Sequence, residues 1–491
     1  MPDSPPNVLI IISDQHSKYH LGCYGDPLVR TPHLDGLAQR GVRFTDAYCP
    51  APLCVPSRMS FVTSRRPTAN RAWNNGHILS SAIPTWAHAM GAAGYETSLV
   101  GRMHFLGPDQ RHGFEKRPIG EYSAVAPGAQ RLGGIQLDRI HGTAGQSRRA
   151  VECAGYGRTT YQAFDDMIAD AACTYLDERA ADRDGRPFAA VAGFVLPHCP
   201  FFAPKDLFDY YYERVDVPQP TDEELEREPE AVRVFKESRG IAEPLTEERI
   251  RIARAAYLGL CEYFDARVGQ ILAKLEETGL DRNTLVIYTS DHGEMAGEHG
   301  CWWKSNYYDG SVGVPLIASL PGTVQESTVS SAICNLMDLG PTVVEMAGAE
   351  SMPDVDGHSL WQVMTKGADQ TRPDETFSEL VDQRTDGIPS RMVRQGPWKL
   401  YRNHDGSPPV LFNLEEDPGE LNDLGTDPDH EEIREELLGR LHDGWDPEAI
   451  ARENAELNRS VEVLSAWGNA VQPSYEDSLP IPEGAEDVVI L

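Results

Sequence analysis

One cysteine lies in a stretch whose residue types suit nucleophilic chemistry. Cys54 begins the run Cys54-Val55-Pro56-Ser57-Arg58, and a Met/Phe/Val segment follows it. Pro56 and Ser57 suit a turn or the first helical positions, and Arg58 falls one helical turn after Cys54. At that spacing a guanidinium can approach whatever atom residue 54 presents. The sequence therefore predicts a nucleophile, with a cation beside it, at the entrance of a helix.

Four aliphatic runs end in side chains of metal-binding or catalytic type. The runs and the residues after them are 7–13 with Asp14 and Gln15, 284–290 with Asp291 and His292, 96–100 with Arg102 and His104, and 188–195 with His198. Nearly continuous apolar runs are typical of strands that are buried on both faces. Because ligands bind beyond the carboxyl ends of the strands in open α/β sheets, we expect these side chains to gather at one rim.

Two of these endings offer a set of metal ligands. Asp14, Gln15, Asp291 and His292 supply carboxylate and amide oxygens and one imidazole, which suits Ca²⁺, with Mn²⁺ possible because of the imidazole. Each aspartate could instead merely cap the turn after its strand, and for one aspartate alone that interpretation is favoured. Because two Ser-Asp endings occur together with the Cys54 stretch, we predict a divalent metal site.

The elements around these residues predict an α/β fold with a large, mostly parallel sheet flanked by helices. Helical patterns, such as residues 31–41 and a capped helix from Thr246 to about 279, separate the strands. From about residue 371 the pattern changes to four short strands with turn residues between them, followed by a helix over 431–442. We predict a catalytic domain over 1–370 and a C-terminal α+β subdomain over 371–491, with an acidic tail.

Composition excludes several classes of partner. The formal charge of −32 repels nucleic acid and anionic membranes, and no segment approaches the length of an apolar membrane span. Nine cysteines without paired spacing argue against disulfides or a cysteine metal site. The first residues lack a basic region and a cleavage site of the signal-peptide type, so we expect a cytoplasmic protein.

The motifs together resemble the sulfatase family over nearly the whole chain. The segments that carry the resemblance are Cys54-Val55-Pro56-Ser57-Arg58, Gly101-Arg102-Met103-His104, Ser290-Asp291-His292-Gly293-Glu294 with Lys304, Gly313-Val314-Pro315, and Leu411-Phe412-Asn413-Leu414. Residues 107–115 and the pair Asp14-Gln15 are most similar to the choline sulfatase and phosphonate monoester hydrolase branch. The resemblance implies an alkaline-phosphatase-like fold.

The resemblance also implies a mechanism and a role for each residue. Cys54 would be oxidised to formylglycine by a formylglycine-generating enzyme, and residue 54 would join the metal ligands. The hydrated aldehyde would attack sulfur while cations neutralise the sulfuryl group. The implied roles are charge neutralisation by Arg58, Arg102 and Lys304, protonation of the leaving alkoxide by His198 with Lys304, deprotonation of the second hydroxyl by His104, and sulfate contact by Asn75. His16 and His112 are expected to be structural.

Two positions depart from the family pattern. Arg102 replaces the usual lysine, and brings a planar fork in place of a point charge. Ser64 occupies a position of the modification motif that is usually glycine, although the core of the motif is intact.

The hypotheses for function divide into three. The first is a sulfatase acting on a small organic sulfate ester such as choline sulfate or a sulfated sugar. The second is a phosphonate monoester or phosphodiester hydrolase that uses the same rim, and the third is a silent binding protein that keeps the metal site. Residues 119–157 and 371–404, which could shape the leaving-group pocket, carry no motif. Homo-oligomers are common among relatives, but no residue pattern indicates a number.

Overall fold

The computed structural model describes residues 5–121, 140, 142–182, 185–471 and 486–491. Its strands are β1 (Asn7–Asp14), β2 (Val42–Phe44), β3 (Ala47–Tyr48), β4 (Glu96–Gly101), β5 (Lys116–Ile119), β6 (Gly155–Arg158), β7 (Phe188–Pro197), β8 (Phe202–Ala203), β9 (Thr284–Ser290), β10 (Leu316–Ser319), β11 (Thr328–Ser330), β12 (Cys334–Asn335), β13 (Glu375–Asp382), β14 (Ile388–Gln395), β15 (Trp398–Asn403), β16 (Val410–Asn413) and β17 (Asp487–Ile490). Its α-helices are α1 (Pro32–Gln39), α2 (Cys54–Thr63), α3 (Pro67–Asn70), α4 (Trp86–Ala92), α5 (Arg148–Glu152), α6 (Thr160–Ala181), α7 (Lys205–Tyr212), α8 (Asp222–Arg227), α9 (Glu230–Ser238), α10 (Glu247–Thr278), α11 (Asp309–Val312), α12 (Leu339–Met346), α13 (Trp361–Lys366), α14 (Glu431–His442) and α15 (Pro447–Val471).

The main sheet has eight strands in the order β11-β2-β10-β9-β1-β7-β4-β5. The central strand β1 pairs in parallel with β9 on one side and with β7 on the other, and β4 pairs in parallel with β7. Strand β10 runs antiparallel to both of its neighbours. The four strands predicted from aliphatic runs are therefore adjacent and point the same way, so their carboxyl ends share one edge. The predicted α/β fold with a mostly parallel sheet is confirmed.

Helices flank this sheet as the apolar spacing predicts. In α10 the Thr246 hydroxyl accepts a hydrogen bond from the Arg249 backbone N–H at 3.3 Å, and Gly279 ends the helix with φ +73°. Helix α10 packs against α6, α7 and α1, and its apolar face is buried in the main core. The predicted capped helix is confirmed at both ends.

A small antiparallel sheet, β13-β14-β15-β16, follows the main body. The apolar residues of its strands alternate between two cores, as the period of two requires. Met392, Tyr401 and Phe412 join the main core, whereas the side chains of the other core are Phe377, Val393, Leu400 and Leu411 with Leu437 and Leu441 of α14. The predicted small sheet with a packed helix is thus confirmed, while the domain boundary at residue 370 stays a prediction.

Four buried charges tie the small sheet to the main body. Asp309 at the start of α11 receives Lys18 Nζ on Oδ2 at 2.8 Å and Lys399 Nζ of β15 on Oδ1 at 2.7 Å. Glu420 pairs with Lys399 and also accepts the Asp309 backbone N–H at 2.6 Å. We name these four residues, Lys18, Asp309, Lys399 and Glu420, the lysine-bridged cluster.

Several expectations concern regions away from the main sheet. All nine cysteines are free thiols, as the absence of paired spacing predicted. No described helix has the length and apolar character needed to cross a membrane. Residues 122–139 and 141 of the predicted pocket-lining stretch, and residues 472–485 of the acidic tail, lie outside the described residues.

Candidate active site

Three of the predicted strand-end residues meet the cysteine at the rim of the main sheet. Asp14 ends β1, Asp291 and His292 follow β9, and Cys54 begins α2. One potential ligand atom from each of the four lies within 4.8 Å of all the others, and all four residues are buried. We name these four residues the rim cluster.

Each aspartate of the rim cluster divides its two oxygens between a cation and the centre of the cluster. Arg102 Nε binds Asp14 Oδ2 at 2.8 Å, and Arg58 contributes Nη2 to the same oxygen at 3.3 Å and Nε to Asp291 Oδ2 at 2.7 Å. The Oδ1 atoms lie 3.6 Å (Asp14) and 3.5 Å (Asp291) from His292 Nε2. The guanidinium groups therefore fix both carboxylates with one oxygen turned inward.

The protonation of these groups suits a divalent cation. His292 Nδ1 lies 3.0 Å from the Gly293 carbonyl and donates to it, which leaves a lone pair on Nε2, 3.2 Å from Cys54 Sγ. Burial lowers the pKa of His292, so its imidazole is neutral. Burial alone would raise the pKa of Asp14, but the charges of Arg102 and its other cationic neighbours hold that pKa well below its usual value. Ionised carboxylates and a neutral imidazole are the forms that bind metals.

Helix α2 presents Cys54 to the rim. The helix begins at Cys54 itself, so Arg58 lies one turn further along, as predicted. Asn75 Oδ1 accepts the Val55 backbone N–H at 2.9 Å, which places the Asn75 side chain beside the first turn. Ser64 follows the last residue of the helix with φ +56°, a left-handed conformation that glycine adopts without strain.

The turn after β4 carries Arg102 and His104 to the same edge. Arg102 Nη2 donates to His104 Nδ1 at 2.9 Å, and His104 itself adopts φ +60°. Burial and the Arg102 charge lower the pKa of His104 well below its usual value, so the ring is neutral. A carboxylate that the sequence interpretation missed, Glu121, binds Arg102 Nη1 at 2.9 Å. It lies in a stretch without a motif, and no residue spacing indicated it.

Lys304, His198 and Gln15 form a second chain of contacts beside the rim cluster. Lys304 Nζ donates to His198 Nε2 at 2.8 Å and to Gln15 Oε1. His198 Nδ1 donates to the Cys199 carbonyl at 2.5 Å, so the ring is neutral, and burial together with Lys304 lowers its pKa. Gln15 Nε2 in turn contacts Glu294 Oε2 at 2.5 Å, and Gln15 adopts φ +71°.

Two histidines near these segments serve packing. His16 lies between the Tyr288 hydroxyl, 2.6 Å from Nδ1, and the His20 carbonyl, 3.0 Å from Nε2, and burial lowers its pKa to about 3. The His112 ring packs against Phe105 at a centroid distance of 4.5 Å. Neither histidine reaches the rim cluster through a contact in the described part of the chain.

Comparison with known proteins identifies the family of this chain. Residues 6–349 match the family described as Sulfatase, and residues 297–445 match the family described as N-sulphoglucosamine sulphohydrolase, C-terminal. A choline-sulfatase of Rhizobium meliloti is 33% identical over 444 residues, which cover 87% of this chain and 84% of the relative. An arylsulfatase K of Xenopus laevis is 27% identical, covering 86% of this chain and 80% of the relative.

A solved structure shares the fold as well. The phosphonate monoester hydrolase of Silicibacter pomeroyi superposes with a TM-score of 0.71 at 27% identity, over 89% of this chain and 94% of that one. The family match covers well over half of the chain, and the choline-sulfatase match exceeds 30% identity over most of it. The chain therefore belongs to the sulfatase family of sulfuric ester hydrolases, on the alkaline-phosphatase-like fold.

Proposed function

We propose that this enzyme releases sulfate from a small organic sulfate ester by means of a formylglycine at position 54 and a divalent cation. The observation that carries the proposal is the convergence of the rim cluster, with its four ligand atoms within 4.8 Å of one another beside Arg58. Asp14, Asp291 and His292 would hold the cation, with residue 54 and Gln15 as the remaining ligands, and the oxygen-rich set favours Ca²⁺. When bound, the cation would polarise anionic oxygens, and the hydrated formylglycine would supply the nucleophilic oxygen.

Three cations would neutralise the sulfuryl group. Arg58, Arg102 and Lys304 are all buried and are held by carboxylate or amide partners. Because these partners fix the cations before the substrate arrives, little reorganisation is needed as charge develops on the transferring group. They would therefore stabilise the transition state more than they stabilise the substrate.

The leaving group would take its proton from the Lys304–His198 pair. In the structure the proton between them belongs to Lys304 Nζ, because His198 Nε2 accepts and His198 Nδ1 is bound to a carbonyl. Burial disfavours the Lys304 charge, but the acidic groups around it raise its pKa overall. The pair can thus deliver one proton to an alkoxide while His198 keeps its orientation.

His104 would remove the proton that releases sulfate. Its neutral ring holds a lone pair at Nδ1, to which Arg102 Nη2 now donates. The transfer would require only that Arg102 Nη2 donate to a sulfate oxygen in place of Nδ1, while Nε stays on Asp14 and Nη1 stays on Glu121; Nδ1 could then accept the proton.

The first experiment tests the nucleophile and its maturation. Mass spectrometry of the purified protein should show Cys54 converted to formylglycine, and Cys54→Ala should abolish sulfate release. Full activity in Cys54→Ala would contradict the proposal, as would an active protein whose Cys54 is an unmodified thiol. Conversion requires a formylglycine-generating enzyme as partner during production.

The substrate is proposed from the relatives. Choline sulfate is the first candidate, because of the 33% identity to a choline-sulfatase and because the charge of −32 favours a cationic alcohol. Sulfated sugars are the second candidate. A panel of choline sulfate, sulfated monosaccharides and 4-nitrophenyl sulfate, compared by kcat/KM, would decide between them.

A phosphonate monoester hydrolase is the alternative that a specific observation favours. The solved enzyme of that name shares 27% identity and the fold. Parallel turnover of 4-nitrophenyl sulfate and 4-nitrophenyl phenylphosphonate would distinguish the two, and we expect the sulfate ester to have the higher kcat/KM. A cytoplasmic location and an oligomeric state stay predictions.

A further inference from the structure

We propose that Glu121 is a positioning residue that orients the Arg102 guanidinium and the turn that carries His104. The inference rests on the proposed function only for the role of Arg102. Glu121 is 1% exposed, and its two oxygens have separate partners. Oε1 binds Arg102 Nη1 at 2.9 Å, whereas Oε2 accepts the backbone N–H groups of Met103 at 3.2 Å and His104 at 2.8 Å and lies 3.8 Å from Arg117 Nη2.

The first consequence concerns the guanidinium plane. Arg102 uses Nε for Asp14 and Nη1 for Glu121, so two carboxylates hold the planar group at two points. Its Nη2 is thereby directed to His104 Nδ1 at 2.9 Å. A lysine has a single ammonium group in place of a planar guanidinium, so it could bind Asp14 without a second carboxylate to fix its orientation. Glu121 thus sets the orientation of Arg102 relative to His104.

The second consequence concerns the backbone of the turn. His104 has φ +60°, a conformation that a residue with a Cβ rarely adopts, and one that persists where the surroundings enforce it. The bonds from the Met103 and His104 N–H groups to Glu121 Oε2 provide that constraint. One carboxylate therefore orients both functional side chains of the turn.

Glu121→Gln separates these two effects. The amide oxygen of Gln can still accept both backbone N–H groups. Its NH₂ group would face Arg102 Nη1, and because both groups are donors they cannot form a hydrogen bond. We expect kcat/KM for 4-nitrophenyl sulfate to fall by about ten- to a hundredfold, mostly in kcat, as is typical when a supporting partner of a site residue is lost. In an Arg102→Lys background the same substitution should change kcat/KM by about twofold or less.

A matched control comes from the amino end of β4, the strand that leads into Arg102. Glu96 is also buried on β4, where it binds Arg179 at 3.1 Å and Lys116 at 2.8 Å. Glu96→Gln removes a carboxylate of the same kind from an arginine, but it lies at the edge opposite the rim. It should lower the unfolding temperature and leave kcat/KM within about twofold. Mass spectrometry must show equal conversion of Cys54 in all variants.

A binding measurement keeps this test independent of the proposed reaction. Calorimetric affinity for inorganic sulfate should fall in Glu121→Gln, and should be insensitive to that change in the Arg102→Lys background. The wild type could bind sulfate, and lose affinity in Glu121→Gln only when residue 102 is arginine, yet hydrolyse no sulfate ester. That result would refute the proposed function and support the positioning role. Equal fold-losses in both backgrounds, or no loss in either, would overturn the positioning role, as would absence of sulfate binding by every variant.

Discussion

The rim cluster and the lysine-bridged cluster use similar residues for opposite purposes. Both are buried, the carboxylates of both are bound by buried cations, and Asp14 and Lys18 are only four positions apart. In the lysine-bridged cluster each oxygen of Asp309 has its own lysine, and the two carboxylates balance the two lysines. In the rim cluster each aspartate keeps Oδ1 turned toward His292 Nε2. Asp291 Oδ1 also accepts the Gln15 backbone N–H at 3.1 Å, but in the described part of the chain the arginines bind the Oδ2 atoms and not the Oδ1 atoms. The difference shows that a binding site is distinguished by ligand atoms that converge on one point without a lysine or arginine between them, and not by burial.

The largest effect that this comparison predicts is a separation of activity from stability. Asp291→Asn removes the negative charge of one carboxylate of the rim cluster and should lower kcat/KM by on the order of a thousandfold. The divalent cation would lose a charged ligand, and the sulfuryl group would lose the cation's stabilisation. Asp309→Asn leaves two buried lysines short of a counter-charge and should lower the free energy of unfolding by about 3–5 kcal/mol. Its kcat, measured per folded molecule, should stay within about twofold of the wild type.

The two substitutions are matched, because each changes one buried aspartate to its amide. Steady-state kinetics on 4-nitrophenyl sulfate and thermal unfolding should be measured on the same preparations. If Asp309→Asn lost as much kcat as Asp291→Asn, the lysine-bridged cluster would belong to the active site and the distinction drawn here would be wrong.

A smaller effect is expected from metal removal. A ligand that binds only the folded state at 100 times its Kd raises the free energy of unfolding by about 2.7 kcal/mol. Thermal unfolding in EDTA and in excess Ca²⁺ should therefore differ for the wild type and for Asp309→Asn, but not for Asp291→Asn. A shift of equal size in Asp291→Asn would mean that the cation binds outside the rim cluster.

The strands that carry the site were predictable because their aliphatic runs end abruptly at polar residues. Strand β9 occupies residues 284–290 as predicted, and α14 occupies 431–442, since its ends coincide with clear polar and glycine-rich boundaries. Short strands such as β2 and β11, with three residues each, carry too few alternations to be detected. Glu121 reaches Arg102 because it follows β5, which pairs in parallel with β4 and places Ile119 opposite Val100; β5 has only four residues, too few for local periodicity to reveal it.

Gln15 illustrates what sequence alone leaves open at the site. Its position after β1 predicted a metal ligand, and its side chain in the structure contacts Lys304 and Glu294. An amide can donate and accept at once, so the residue type alone could not show which partners it would choose. Its role as a ligand stays a proposal.

The smallest predicted effect compares two imidazoles. His292 Nε2 faces the other members of the rim cluster, whereas both nitrogens of His77 have polar partners outside any such cluster. Nδ1 accepts the Trp73 N–H at 3.1 Å, and Nε2 lies 2.9 Å from Asn74 Nδ2 and 3.2 Å from Asn458 Oδ1 of α15. Burial lowers the pKa of His77 to about 4. Between that value and the unfolded value of about 6.5, the unfolded chain binds a proton that the folded chain does not, so stability is lost as pH falls through this window.

His77→Gln removes this titration. From pH 7 to pH 5 the His77 share of the loss is about 2 kcal/mol, so the variant should show a smaller drop in unfolding temperature between these pH values than the wild type. The absolute stability of the variant at pH 7 will also fall, because hydrogen bonds are lost, so the pH dependence is the quantity to compare. His33→Gln, on the exposed surface of α1, controls for the substitution itself. An unchanged pH dependence in His77→Gln would show that this ring accepts a proton in the folded state, and that full occupation of both nitrogens does not keep a buried histidine neutral.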